Sequence, residues 1–252
     1  MKKRQLKIID TLRKQKRATV DELAKLFNIS RETIRRDLTQ LANTGKIQKI
    51  HGGAILPSVF GEGSFQQRMS DNGDAKTRIA SQAVKLFAAG ETLFIDTGST
   101  TLYFAEKLNE LSGLTVVTNS AEIARVISAS GTGTRTFLLG GEYSDKNHQT
   151  VGTLVAAQIK SFRAHHAVLT VGALDIRSGA MDFNIEEAHV ARAMIEQSES
   201  ITILADGSKY NNLASFEVCP LSRIDRLVCD YAPPDDMAEA LTEAGVKTVV
   251  AR

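Results

Sequence analysis

From residue 76 to residue 250 short apolar runs alternate with stretches of helical period, and this alternation constrains the fold more than any other feature of the chain. The runs fall at 92–95, 114–117, 136–139, 167–171, 201–204, 227–229 and 246–250. Between them, Ile79, Ala83, Val84 and Phe87 recur at helical spacing up to Gly90, and further helices are expected near 103–111, 121–129, 186–197 and 236–244. A run that short and that apolar reads as a strand buried on both faces, and strands joined through helices run parallel. The expectation is therefore an α/β domain over 76–252 with a mostly parallel sheet. Ligands of such sheets sit beyond the carboxyl ends of the strands.

Those ends are rich in small polar residues. Asp96, Thr97, Gly98, Ser99, Thr100 and Thr101 follow the first run and open a helix, so their amides and hydroxyls are placed to hold an anion, naturally a phosphate, at the positive helix end. Asn119 and Ser120 end the second run, Gly140 and Gly141 the third, and Gly172 the fourth. Asp206-Gly207-Ser208-Lys209 follows Leu204, and Asp182 and Glu187 flank the start of another helix. Any one of these alone reads as a turn or cap. Their recurrence at the strand ends of one domain points to a binding site.

The first part of the chain has a different character. Residues 1–55 carry 14 Lys+Arg against 5 Asp+Glu, whereas 56–252 carry 17 against 24. A basic head on an acidic body suits a module that sits on phosphate. Leu6, Ile9 and Leu12 lay a stripe along a helix over 3–15. Thr19 and Glu22 have the spacing of a capping box, ahead of Leu23, Leu26 and Phe27 on a second helix. Asn28-Ile29-Ser30 breaks it, and Ser30 caps a third, in which Ile34, Leu38 and Leu41 fall within about 60° of one another.

Glu32, Arg36, Thr39 and Gln40 then face away from that core, flanked by Thr33 and Arg35. Long side chains on such a face reach base edges in the major groove, while Ser30 or Thr33 meets phosphate. Gly45 closes the helix, and the alternation from Lys46 to His51 before Gly52-Gly53 predicts a small wing. The candidate DNA contacts are Ser30, Arg31, Thr33, Arg35, Arg36, Gln40, Lys46, Lys49 and His51. Five of the 18 glycines lie in 52–75, which reads as a hinge. The expected domains are a winged helix-turn-helix over 1–57, a linker over 58–75 and the α/β domain over 76–252.

The run ISRETIRRDLTQLANTGKIQKIHGGA resembles the signature of the DeoR/GlpR-type family of bacterial transcriptional regulators, with Lys49 where many members have Arg. FIDTGSTT, VVTNS, LLGGEY, TVGA, DFNIEEA and ADGSKY resemble successive blocks of that family's C-terminal sensor domain, which is similar to sugar-phosphate isomerases and binds phosphorylated sugars or polyols. The resemblance implies that 97–101 grip phosphate, that Asn119 and Ser120 line the pocket, and that Asp182, Glu187 and Lys209 meet the polyol and its charge. Ala191 stands where members often have Lys.

The function this implies is a DNA-binding repressor of a carbohydrate or polyol catabolic operon, controlled by a phosphorylated sugar or polyol. Two alternatives stand beside it: an aldose–ketose isomerase with Glu187 or Asp182 as base and Lys209 stabilising an enediolate, and a DNA-binding structural protein with a ligand-free body. Paired half-sites on operator DNA call for a homodimer or homotetramer.

Other chemistries find no foothold. Cys219 and Cys229 are the only cysteines and read as small buried side chains; His148, His165, His166 and His189 have no partner at ligand spacing, so no metal or other cofactor is expected. Gly131-Thr132-Gly133-Thr134 lacks the lysine of a phosphate-binding loop. No apolar run reaches the roughly 20 residues of a membrane span, and MKKRQLKIID lacks the apolar stretch of a signal peptide, so the expected location is the cytoplasm.

Overall fold

The computed structural model describes residues 3–15, 17–43, 46–50, 52–55 and 63–251. The chain divides into two compact units, Met1–Gly61 and Glu62–Arg252. In the first, helices Lys3–Gln15, Val20–Phe27 and Arg31–Asn43 are followed by an antiparallel hairpin of Gln48–Ile50 and Gly53–Ile55. Arg17–Thr19, which the sequence reading passed over, adds a third strand beside Gly53–Ile55. The two backbones run so close there that a Cβ on Gly53 would stand 2.9 Å from the Thr19 Cα, so only glycine fits.

Burial in this unit corrects two positions. Ile8, Ile9 and Leu12 form the buried stripe of the first helix with Gln5, while Leu6 is exposed. Residues 5, 8, 9 and 12 follow the i, i+3, i+4, i+7 rule, and Leu6 lies more than about 100° from their centre. Leu26 is likewise exposed, because it lies about 90° round its helix from the centre of the buried Val20–Leu23 face. Ile34, Leu38 and Leu41 are buried as the spacing predicts. The capping box is present: the Thr19 side chain accepts from the Glu22 amide and the Glu22 carboxylate from the Thr19 amide. Asp37 is buried on the third helix and is neutralised by an ion pair with Arg4.

The second unit is α/β, built on a seven-stranded sheet in the order Lys247–Val250, Arg226–Cys229, Ser198–Leu204, Ala164–Leu169, Thr92–Ile95, Thr115–Thr118, Arg135–Leu138. Every pairing in it is parallel. Alternate side chains go to opposite faces. Leu93, Ile95, Val116, Val168, Leu204 and Val228 pack with helices Gly73–Ala83, Ser99–Leu108 and Ala121–Ser128. Phe94, Val117, Leu169, Ile203 and Cys229 pack with Thr153–Ile159, Ile185–Glu196 and Asp235–Glu243. The order reverses between Thr92–Ile95 and Ala164–Leu169, the position in such a sheet beside which ligands bind, and here the loops after the two strands meet.

The alternation did not announce two smaller sheets. Glu142–Ser144 pairs with Gln149–Val151, and Ala173–Asp175, Gly179–Asp182 and Phe216–Cys219 form an antiparallel sheet. The expected linker is also corrected, its residues 58–62 lying outside the described ones. Helix Phe65–Ser70, capped by Ser64, and the start of Gly73–Ala83 occupy the rest of it. Phe65 and Met69, one helical turn apart, are its only large apolar side chains, too few to show a period among the glycines, yet Phe65 is buried. Among the described residues no helix is long and apolar enough to cross a membrane.

Candidate functional site

Two sites emerge, one in each unit. In the first, the helix Arg31–Asn43 buries Ile34, Leu38 and Leu41 and turns Arg31, Arg35, Arg36, Thr39 and Gln40 outward. The Ser30 hydroxyl accepts from the Thr33 amide at 3.2 Å and lies 2.8 Å from the Thr33 hydroxyl, fixing the turn at the helix start. Arg31 lies 2.7 Å from Asp21, and Arg35 and Arg36 each lie 3.8 Å from Glu32. All of these side chains are more than half exposed, so the pairs are weak and exchange readily for a phosphate or a base edge.

The hairpin stands beside this helix. Lys49 donates to the Thr39 hydroxyl at 3.2 Å, and Lys46 is exposed. Gln40 is engaged within the unit, its amide oxygen accepting from Gln5 at 2.8 Å. His51 and Gly45 lie outside the described residues. The face can hold a DNA duplex by the helix in one groove, with basic side chains on flanking phosphates.

The second site lies at the carboxyl ends of the parallel strands. Gly98, extended at φ −171°, precedes helix Ser99–Leu108. A Cβ there would stand 2.9 Å from the Thr170 methyl, so glycine permits the two loops to touch. Thr101 ties the loop down, its hydroxyl donating to the carbonyl of Asp96 at 2.9 Å and of Gly98 at 3.2 Å. The first-turn amides have no acceptor within the helix, and the Ser99 and Thr100 hydroxyls make no hydrogen bond with other described residues. This corner can take an anion.

Asp96 is buried, and its two oxygens accept from the Thr170 amide at 3.1 and 3.0 Å. Burial pushes its carboxyl well above the ordinary aspartate range, and the negative charges of Asp182 and Glu187 push the same way. From Thr97 a chain of side chains crosses the site. Thr97 donates to Asn119 at 3.2 Å, Asn119 to Gln149 at 3.2 Å, and Gln149 to Glu187 at 2.8 Å. The same Glu187 oxygen, Oε1, also accepts from Asn147 at 2.6 Å and from Asn184 at 3.0 Å.

Asp182 accepts from the Asn184 amide at 2.8 Å, at the start of the Glu187 helix. On the other side, Lys209 sits in the turn Gly207–Lys209, near enough to the buried Lys76 for their charges to interact. Lys76 donates to the Arg68 carbonyl and, at 2.7 Å, to the Asp71 carbonyl, and burial lowers its ammonium to about 8.

Three sequence candidates have structural duties. Ser120 caps helix Ala121–Ser128 through the Ile123 amide at 3.3 Å. A Cβ on Gly141 would meet Val155 at 2.6 Å, and one on Gly172 would meet the Phe183 ring at 2.7 Å. Conversely, Arg68, Lys76, Asn147, Gln149, Thr170 and Asn184 belong to the network and were not singled out. The quoted blocks end at Tyr143 and resume at Thr170, so Asn147 and Gln149, in the second half of the hairpin, fell between them. The amides of NHQT, next to a period-two run, were the available signal.

The histidines have other duties: His165 accepts from the Thr92 amide at 2.9 Å, and His166 lies 3.4 Å from Glu91. Both cysteines are buried and free, Cys219 with its thiol pushed up to about 11 by burial.

Residues 4–59 match the family model "DeoR-like helix-turn-helix domain", and residues 71–231 match "DeoR C terminal sensor domain". The chain is 31% identical to the glycerol-3-phosphate regulon repressor of Escherichia coli, over 94% of this chain and 93% of that one. It is 32% identical to the L-fucose operon activator of Haemophilus influenzae, over 96% and 97%. Among solved structures, a chain of the tetrameric eIF2B-beta2-delta2 complex from C. thermophilum has a TM-score of 0.50 at 12% identity, covering 96% of this chain and 72% of that one, a likeness of fold alone. With a matched helix-turn-helix head and a matched sensor domain in one chain, the protein belongs to the DeoR family of transcriptional regulators.

Proposed function

We propose that the protein represses a carbohydrate or polyol catabolic operon and is controlled by a phosphorylated sugar or polyol bound in the second unit. The observation that carries this reading is the cluster of polar groups at the strand ends of the second unit. A corner of free amides and hydroxyls at Gly98–Thr100 suits a phosphate, and the oriented Glu187 carboxylate faces what a polyol would offer, hydroxyl donors. The relatives' names concern a glycerol phosphate regulon and a fucose operon, the same chemical neighbourhood. Operator DNA is contacted through Ser30, Arg31, Thr33, Arg35, Arg36, Gln40, Lys46, Lys49 and His51, and the effector through residues 96–101, Asn119, Asp182, Glu187 and Lys209. A homodimer or homotetramer supplies the paired heads that a two-fold operator requires.

The effector must bind the DNA-competent and incompetent states unequally, since equal affinity shifts nothing. A coupling of about 1–3 kcal/mol corresponds to roughly a 5–150-fold change in operator affinity. Gel-shift titration of the DNA upstream of its own gene, with a panel of phosphorylated sugars and polyols, tests both halves. Specific DNA binding indifferent to the whole panel would remove the effector half.

The protein is not an isomerase on this reading. Glu187 Oε1 accepts from three side-chain amides and Asp182 accepts from the Asn184 backbone amide, so both candidate bases are engaged in holding the site together. Turnover of pentose or hexose phosphates, abolished by Lys209→Ala, would overturn this.

A further inference from the structure

Helix Phe65–Ser70 opens the second unit, directly after the chain leaves the first at Gly61. Four side-chain contacts tie it and the turn behind it to loops of the candidate effector site. Arg68 Nη2 donates to Asn147 Oδ1 at 2.9 Å. The Phe65 ring packs edge-on against His148 at 5.9 Å. Tyr103, on the helix that follows the anion corner, donates to the Met69 carbonyl at 3.1 Å. Asn72 donates to Asp206, beside Lys209, at 3.3 Å. The C-terminal end of the short helix is gripped from behind by the buried Lys76 ammonium through the Arg68 and Asp71 carbonyls.

The link through Asn147 is chemically directional. A guanidinium only donates and a carboxylate only accepts, so a group bridging Arg68 to Glu187 must do both. Asn147 is buried and does so, accepting from Arg68 at its oxygen and donating to Glu187 at its nitrogen at 2.6 Å. Rotation of Glu187 toward a bound hydroxyl weakens its hold on Asn147, and with it one of the contacts that hold Arg68.

We propose that the Phe65–Ser70 helix is the transmission element of this regulator, with Arg68 and Asn147 reporting the state of Glu187 to the chain segment that leads into the DNA-binding head. The proposal rests on the effector reading of Glu187 given above. It assigns Arg68 a coupling role and leaves ligand capture to the anion corner and Glu187.

The test compares the full chain with its Arg68→Ala, Glu187→Ala and double variants, without added effector. Hydrogen–deuterium exchange over 63–72 is read by mass spectrometry and affinity for the upstream DNA by gel shift. Exchange in that segment should rise at least about 5-fold in both single variants, although Glu187 is remote in sequence, and the double variant should add little, as expected of residues acting through one intermediary. Operator affinity should shift in the same direction in both, by about 5-fold or more. Unchanged exchange in Glu187→Ala, or strictly additive effects, would overturn the proposal. If Glu187→Ala fails to melt cooperatively, Asn147→Ser replaces it with the same expected readings. A wild-type chain that binds no DNA would sink the regulator reading while the exchange measurement still decides this one.

Discussion

Asp96 shows how one residue can be costly for folding and useful for binding. Its carboxylate is buried, and burial raises its affinity for a proton more than the hydrogen bonds from the Thr170 amide and Thr101 lower it. A raised carboxyl binds its proton more tightly in the folded than in the unfolded chain, so ionising it costs stability as pH climbs above the ordinary aspartate range. Asp96→Asn is therefore expected to raise the melting temperature at pH 7, by an amount that shrinks toward zero as pH falls to about 4. Thermal melts across that range check it, and a loss of stability at pH 7 would refute it. Arg36 lies at the other functional pole. Among the described residues its ion-pair partner is the exposed Glu32 at 3.8 Å, a weak hold from which it can turn to a base. Arg36→Ala is expected to cost about 1–3 kcal/mol of operator affinity if the side chain is bidentate to guanine. An unchanged footprint and affinity would mean the helix meets DNA by another face.

At the scale of elements, legibility follows sequence distance. The helix-turn-helix was readable because its signals are local: Thr19 caps Glu22, Ser30 caps Thr33, and Ile34, Leu38 and Leu41 repeat on one helix. The Asp96–Thr101 loop was readable for the same reason, a polar run lodged between a strand and a helix. Glu187 was legible as a candidate but its setting was not, because Asn147 and Gln149 reach it from a separate hairpin and no local period records that meeting. Phe65–Ser70 was hidden for want of length. Its stability comes from Phe65, the Ser64 cap and Lys76 rather than from periodicity. Local devices also carry local predictions. Thr19→Ala removes one half of a capping box and should cost the head about 1 kcal/mol, read as a lower denaturation midpoint for the first unit. An unchanged midpoint would show that the strand Arg17–Thr19 alone holds this turn.

The whole molecule joins a basic first part to an acidic remainder, 14 Lys+Arg against 5 Asp+Glu over 1–55 and 17 against 24 over 56–252. The acidic part repels the same phosphates that attract the head, which biases approach so that the head meets DNA first. If two or four chains act together, light scattering after size exclusion should give a mass two or four times 27.4 kDa. A 27.4 kDa monomer that still footprints a two-fold operator would exclude this assembly.

The reversal of strand order at the centre of the sheet also has a consequence for synthesis. Thr92–Ile95 gains Thr115–Thr118 as a neighbour soon after it is made, but its other edge waits for Ala164–Leu169. At about 5–20 residues per second, the roughly 70 intervening residues leave an apolar strand edge open for several seconds on the ribosome. Chains arrested near residue 150 should therefore sediment or be held by chaperones, whereas chains released beyond Leu204 should stay in solution. The same central pairing that brings the loops after these two strands together makes the nascent protein dependent on company until its second half arrives.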